Sequence, residues 1–112
     1  MAKLPRRYQQ FQQEHGTVWQ AYEALGAAAA EAGPLEPKVR ELIKLGMAAA
    51  IQGETAVHSH THRALEAGAT PAEVEHTILL GVTTLGFPTM MTALSWTRAA
   101  QAAHDATPVP PA

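Results

Sequence analysis

The sequence predicts an all-α fold, a bundle of five to six helices, on three observations. Alanine is very abundant while β-branched residues are sparse and scattered, which favours helix over strand. Apolar residues recur at steps of three, four and seven, the spacing of one helical face. Glycine and proline pairs punctuate that pattern at short intervals, so successive helices are joined by short turns, as in a bundle.

The first helical stretch runs from Arg6 to Ala32, with a break expected at Gly16. Phe11, Val18, Trp19, Tyr22 and Leu25 form its apolar face. The run Gly33-Pro34-Leu35-Glu36-Pro37 stops it and restarts the chain. Pro37 suits a first helical turn, where its missing N–H costs nothing. The second stretch extends from there to Gln52, with Val39, Leu42, Ile43, Gly46, Met47 and Ala50 as its expected buried stripe. Gly53 marks a junction. A third helix follows from Glu54 to Ala67, and Gly68 closes it. Thr70-Pro71-Ala72-Glu73 is the strongest local signal: Thr70 caps, Pro71 occupies the first turn, and Glu73 completes a capping box. That helix turns Val74, Ile78, Val82 and Leu85 inward. Gly86-Phe87-Pro88 restarts a last helix carrying Met91, Leu94 and Trp96. The reading is one helical domain over residues 1–105, with a proline-rich tail, 106–112, expected to be disordered.

Composition narrows the function. The 112 residues carry a net charge of −2, so no basic surface awaits nucleic acid. No apolar stretch approaches the roughly 20 residues that span a bilayer, and no apolar signal core follows the N-terminal charges. The expectation is a cytoplasmic protein without a membrane partner. Cysteine is absent, which excludes disulfides, thiolate metal ligands and thiol nucleophiles. A chain this small buries only roughly 60–70% of the surface its unfolded chain exposes, so association with copies of itself would stabilise it.

The segment 53–62 holds three alternating histidines, His58, His60 and His62. At about 100° per residue, Glu54, His58 and His62 share a stripe and His60 lies almost opposite. The stripe admits two readings. It could coordinate zinc, copper or iron, with Glu54, His58, His60 and His62 as candidate ligands and His76 a further one. It could equally be a solvated or intersubunit face. His60 sits at the edge of the apolar stripe Val57, Thr61, Ala64 and Leu65, so it should be partly buried and need a partner. Glu41, amid Leu42, Ile43 and Leu45 of the preceding helix, is the candidate. That pair is either a structural hydrogen bond or an acid/base pair.

Two longer blocks carry a resemblance. Gly33-Pro34-Leu35-Glu36-Pro37-Lys38-Val39-Arg40-Glu41-Leu42-Ile43-Lys44-Leu45 and His60-Thr61-His62-Arg63-Ala64-Leu65-Glu66-Ala67-Gly68-Ala69-Thr70-Pro71-Ala72-Glu73, together with the turn Gly86-Phe87-Pro88, resemble the carboxymuconolactone decarboxylase / alkylhydroperoxidase-like family over residues 33–100. The resemblance implies a helical subunit that assembles into homotrimers or homohexamers. In the peroxidase-like branch a glutamate relays protons to a C-x-x-C pair, and a histidine completes the set. By position the glutamate is Glu41 and the histidine His60, while the two cysteines fall on Gly53 and Ala56. Without sulfur the peroxidase cycle is not available.

The decarboxylase branch needs no cysteine. Its characteristic glutamate four residues before the histidine falls on Ala56. The resemblance therefore implies lyase-like acid/base chemistry on a small organic acid at Glu41 and His60, with no cofactor. Arg40, Lys44 or Arg63 would hold the carboxylate. Gly53, Ala56, Phe87 and Pro88 would shape the pocket. The alternatives are a metal-binding protein using the histidine cluster and a non-catalytic oligomeric binding module.

Overall fold

The computed structural model describes residues 6–106, which form six α-helices and one 3-10 turn, with no strand among them. The chain divides into two compact units between Glu36 and Pro37.

The first unit contains α1 (Arg6–Glu14) and α2 (Gly16–Ala30). The break expected at Gly16 falls one residue earlier, on His15, whose φ of −133° and ψ of 56° leave the helical region. Gly16 opens α2 instead. The predicted apolar face does not become a core. Neither helix has a buried residue, and Phe11, Val18, Tyr22 and Leu25 are exposed. Its rings cluster: the Trp19 ring lies 6.5 Å from Tyr8 and 5.7 Å from Tyr22.

The second unit contains α3 (Pro37–Ala50), α4 (Glu54–Glu66), α5 (Pro71–Leu79), the 3-10 turn Leu80–Val82 and α6 (Phe87–Ala106). Helix α4 packs on α3 and α6, and α5 packs on the same two helices. The core they share is Leu45, Ala48, Ala49, Val57, Ala64, Val74, Ile78, Met90, Ala93 and Leu94. Thr61 and Thr97 are buried with it.

Several predicted inward positions shift. On α3 the core face is Leu45, Ala48 and Ala49, with Leu42 packed against it, whereas Ile43, Met47 and Ala50 are exposed. Two stripes on this helix satisfy helical spacing. Alanine lets helix backbones approach closely, so the stripe with the smaller side chains packs inside. On α5, Val74 and Ile78 are buried as expected, but Val82 is exposed. The helix ends at Leu79 and continues as a tighter 3-10 turn, which changes the angle per residue and carries Val82 off the stripe. On α6, Leu94 is buried, Met91 is exposed and Trp96 is half-buried. Met90, Ala93, Thr97 and Ala100 fill the rest of the inner face. Helix α6 continues through Ala106, and the disorder expected for the tail concerns 107–112, outside the described residues.

Both ends of α4 are fixed by backbone turns. At the end of α3, the Gly53 N–H donates to the Ala48 carbonyl and the Gln52 N–H to the Ala49 carbonyl, a Schellman closure. Its left-handed position is taken by Gln52, φ 56°, rather than by glycine. The same closure ends α4, where Gly68 has φ 100° and Ala69 and Gly68 donate to Ala64 and Leu65. The capping box then starts α5 as the sequence predicts: the Glu73 N–H donates to Thr70 Oγ1 at 3.1 Å, and the Thr70 N–H donates to Glu73 Oε1 at 2.9 Å. Lys38 of α3 reaches Glu73 Oε2 at 3.2 Å, tying that cap to the start of α3.

Thr70→Ala is expected to lower the free energy of unfolding by about 1 kcal/mol, the usual worth of an N-cap, in denaturant melts. Gly68→Ala should cost at least about 1 kcal/mol in the same melts, because its φ of 100° is strained for any side chain.

Candidate functional site

Helices α3 and α4 bring Glu41 and His60 together. Glu41 Oε2 and His60 Nδ1 are 2.8 Å apart, and their side chains are 19% and 18% exposed. The expected pairing of these two residues across the helix interface is present. An ionised carboxylate can only accept, so His60 donates from Nδ1–H. In the neutral ring this places the lone pair on Nε2, the nitrogen left to act on another molecule.

The charge state of Glu41 has opposing causes. Burial raises its pKa. The hydrogen bond from His60 and the His60 charge lower it, followed by the positive charges of Arg63 and Lys44. The lowering causes win, and the carboxyl sits below its ordinary value of 4.5. Glu41 is thus a carboxylate at neutral pH, in partly buried surroundings with two cations bearing on it.

The other predicted site residues are distributed as follows. Lys44 and Arg63 are exposed, on the helices that carry the pair, and Arg40 is half-buried on α3. Gly53 is the N-cap of α4 and Ala56 lies in its first turn, both half-buried. These two positions adjoin: a Cβ placed on Gly53 would lie 3.4 Å from the Ala56 Cβ. Phe87 and Pro88 are exposed at the start of α6, on a third element.

The histidine cluster separates. Among the described residues, no group of three or more histidine, aspartate or glutamate side chains is arranged to hold a metal ion. The four-residue set Glu54, His58, His60 and His62 is therefore not gathered within the chain. The cause is helical geometry: His60 turns toward Glu41 of α3, while His62 meets His104 of α6, with Nδ1 atoms 3.1 Å apart. His58 Nε2 is buried without a hydrogen-bond partner. Glu54 and His76 are exposed. The His62–His104 contact is absent from the sequence reading. The two lie 42 residues apart, and no local spacing connects them.

The Glu41 pKa has a consequence for stability against pH. A carboxyl whose pKa is lower folded than unfolded stabilises the fold above the unfolded value and loses that contribution as pH falls through the folded one. Wild-type stability should therefore drop as pH falls below about 4.5. Glu41→Gln should flatten that part of the curve, measured by denaturant melts at stepped pH.

Comparison with known proteins agrees with this architecture. The sequence pattern described as "Carboxymuconolactone decarboxylase family" matches residues 17–99. An uncharacterised protein from Haemophilus influenzae is 43% identical over 51 residues, 46% of this chain and 45% of that protein. The matched region thus spans about half the length of that curated relative. The crystal structure of an apo carboxymuconolactone decarboxylase family protein from Legionella pneumophila superposes with a TM-score of 0.77, at 26% identity, over 88% of each chain. A second crystal structure, of a protein from Burkholderia xenovorans named for carboxymuconolactone decarboxylase, gives a TM-score of 0.67 at 23% identity. It covers 93% of this chain and 86% of that one, and shows likeness of fold. With a family match across most of its length and the all-helical architecture of these structures, this cysteine-free chain belongs to the carboxymuconolactone decarboxylase family.

Proposed function

We propose that the protein is a decarboxylase-like lyase that acts on a small organic acid through Glu41 and His60, without a cofactor. One observation carries the reading: a carboxylate and an imidazole, each about four-fifths buried, are joined at 2.8 Å in a chain that has no thiol. Glu41 holds the ring with Nδ1–H toward itself, which leaves His60 Nε2 to exchange a proton with the substrate. Loss of carbon dioxide breaks a C–C bond and leaves the electron pair on the substrate as an enolate. The imidazolium N–H at Nε2 returns a proton to that carbon, and the neutral ring is ready for reprotonation. Glu41 stabilises the imidazolium while it carries the proton.

Arg63 and Lys44 are the cations whose charge bears on Glu41, so a substrate carboxylate beside the pair would be held by one of them, with Arg40 a further donor on α3. The small residues Gly53 and Ala56 adjoin at the start of α4, where larger side chains would narrow the approach to the pair. Phe87 and Pro88 at the start of α6 are the apolar groups assigned to the pocket wall. The protein acts as a homo-oligomer. Exposed apolar side chains on α2 (Val18, Tyr22, Leu25) and α3 (Ile43, Met47) favour association with further copies, because surfaces of this kind mark contact sites.

With carboxymuconolactone as the first substrate and carbon dioxide release as the readout, His60→Ala and Glu41→Gln should each lower kcat by about 100-fold or more, the usual range for a general acid/base. Arg63→Ala should act mainly on KM. Wild-type turnover on small organic acids that both His60→Ala and Glu41→Gln retain in full would remove the assignment. Light scattering coupled to size exclusion should give a mass that is a multiple of 11.9 kDa. A single-chain mass at micromolar concentration is the contrary result.

A further inference from the structure

We propose that His62 and His104 form a two-histidine site for a divalent cation of the zinc class, with their Nδ1 atoms as the protein ligands and water completing the shell. The proposal is independent of the Glu41–His60 reading, since it uses a different pair of helices and different side chains.

His62 lies on α4 and His104 in the last turn of α6. Both are half-buried, with the two rings 5.3 Å apart between centroids and inclined at 41°. Their Nδ1 atoms face each other at 3.1 Å. In the metal-free state that contact takes one N–H donor and one lone pair, so it holds a single proton between two nitrogens that are both good zinc ligands. Two imidazole nitrogens bound about 2.0–2.1 Å from one zinc ion stand about 2.9 Å apart at a right angle and about 3.4 Å apart at the tetrahedral angle. The observed 3.1 Å falls within that range. Loading the ion requires the rings, now nearly head-on, to swing so that both lone pairs converge. Both rings are only partly buried, and the shared proton leaves as the cation enters.

Neutral imidazole is the form that coordinates, and each ring already presents its Nδ1 to the other. His58 and Glu66 stand one turn to either side of His62 on the same stripe, and His58 Nε2 is buried without a partner. Neither is in position as a third ligand, since no group of three is arranged for a metal among the described residues. The site is thus open, and its affinity is that of two histidines.

The test is calorimetric titration of zinc chloride into the full, untagged, chelator-stripped chain at pH 7.5 in a non-coordinating buffer. The expected result is saturable binding of one zinc per chain, weakened by more than about tenfold in His104→Ala and in His62→Ala. Glu41→Gln and Glu54→Ala should leave it unchanged. Because His62 packs between helices, His104→Ala at the helix end is the deciding variant, its fold checked by circular dichroism. On the wild type, zinc should shift the Nδ1 resonances of His62 and His104 together in nitrogen-15 spectra. Absence of saturable binding overturns the proposal. So does binding that His104→Ala leaves intact, whether or not Glu54→Ala abolishes it.

Discussion

The buried stripe of α4, Val57, Thr61 and Ala64, sets the geometry on which the rest of the second unit depends. Three residues at steps of four and three fix how the helix is rotated between α3 and α6. Once that rotation is fixed, every other side chain on α4 has an assigned direction. His60 and Arg63 each precede a stripe residue by one position, and both bear on Glu41 of α3. His58 and His62 each follow a stripe residue by one position, and His62 faces α6. Two residues, about half a helical turn, separate two kinds of chemistry on a single helix.

The Glu41–His60 contact differs in kind from the other ion pairs. Lys38–Glu73 and Arg98–Glu75 lie in exposed settings, where screening leaves a pair little net worth. Glu41 and His60 are largely withdrawn from water, so each depends on the other to offset its desolvation. Such an arrangement does not need to stabilise the fold in order to persist. It keeps a carboxylate charged and an imidazole oriented, two conditions that proton transfer requires.

The parts of this molecule legible in the sequence are those written in local chemistry. The Thr70 capping box, the Gly68 closure, Pro37 at a helix start and the pairing of Glu41 with His60 each depend on short spacings or on one helix interface. What escaped depends on distance or on competition between near-equal faces. The α3 core face was obscured because Ile43 and Met47 outrank Ala48 and Ala49 in hydrophobicity, yet close approach of helices rewards small volume. The apolar face of α1 and α2 was real as a pattern, and its aromatic rings do meet, but spacing alone does not supply a surface to bury it. His104 had no neighbour in sequence to announce it, because the fold alone brings it to His62.

Half of the buried apolar residues are alanines: Ala48, Ala49, Ala64, Ala69, Ala93 and Ala100. Each removes little apolar surface from water, so the core is dense without being large. Unfolding then exposes less hydrocarbon per residue than a leucine-rich core would. The heat capacity change on unfolding is correspondingly small, and the curve of stability against temperature is broad and shallow. The core is least tolerant of enlargement at its buried helical alanines, Ala48, Ala49, Ala64, Ala93 and Ala100, where an added methyl group has no free volume to enter.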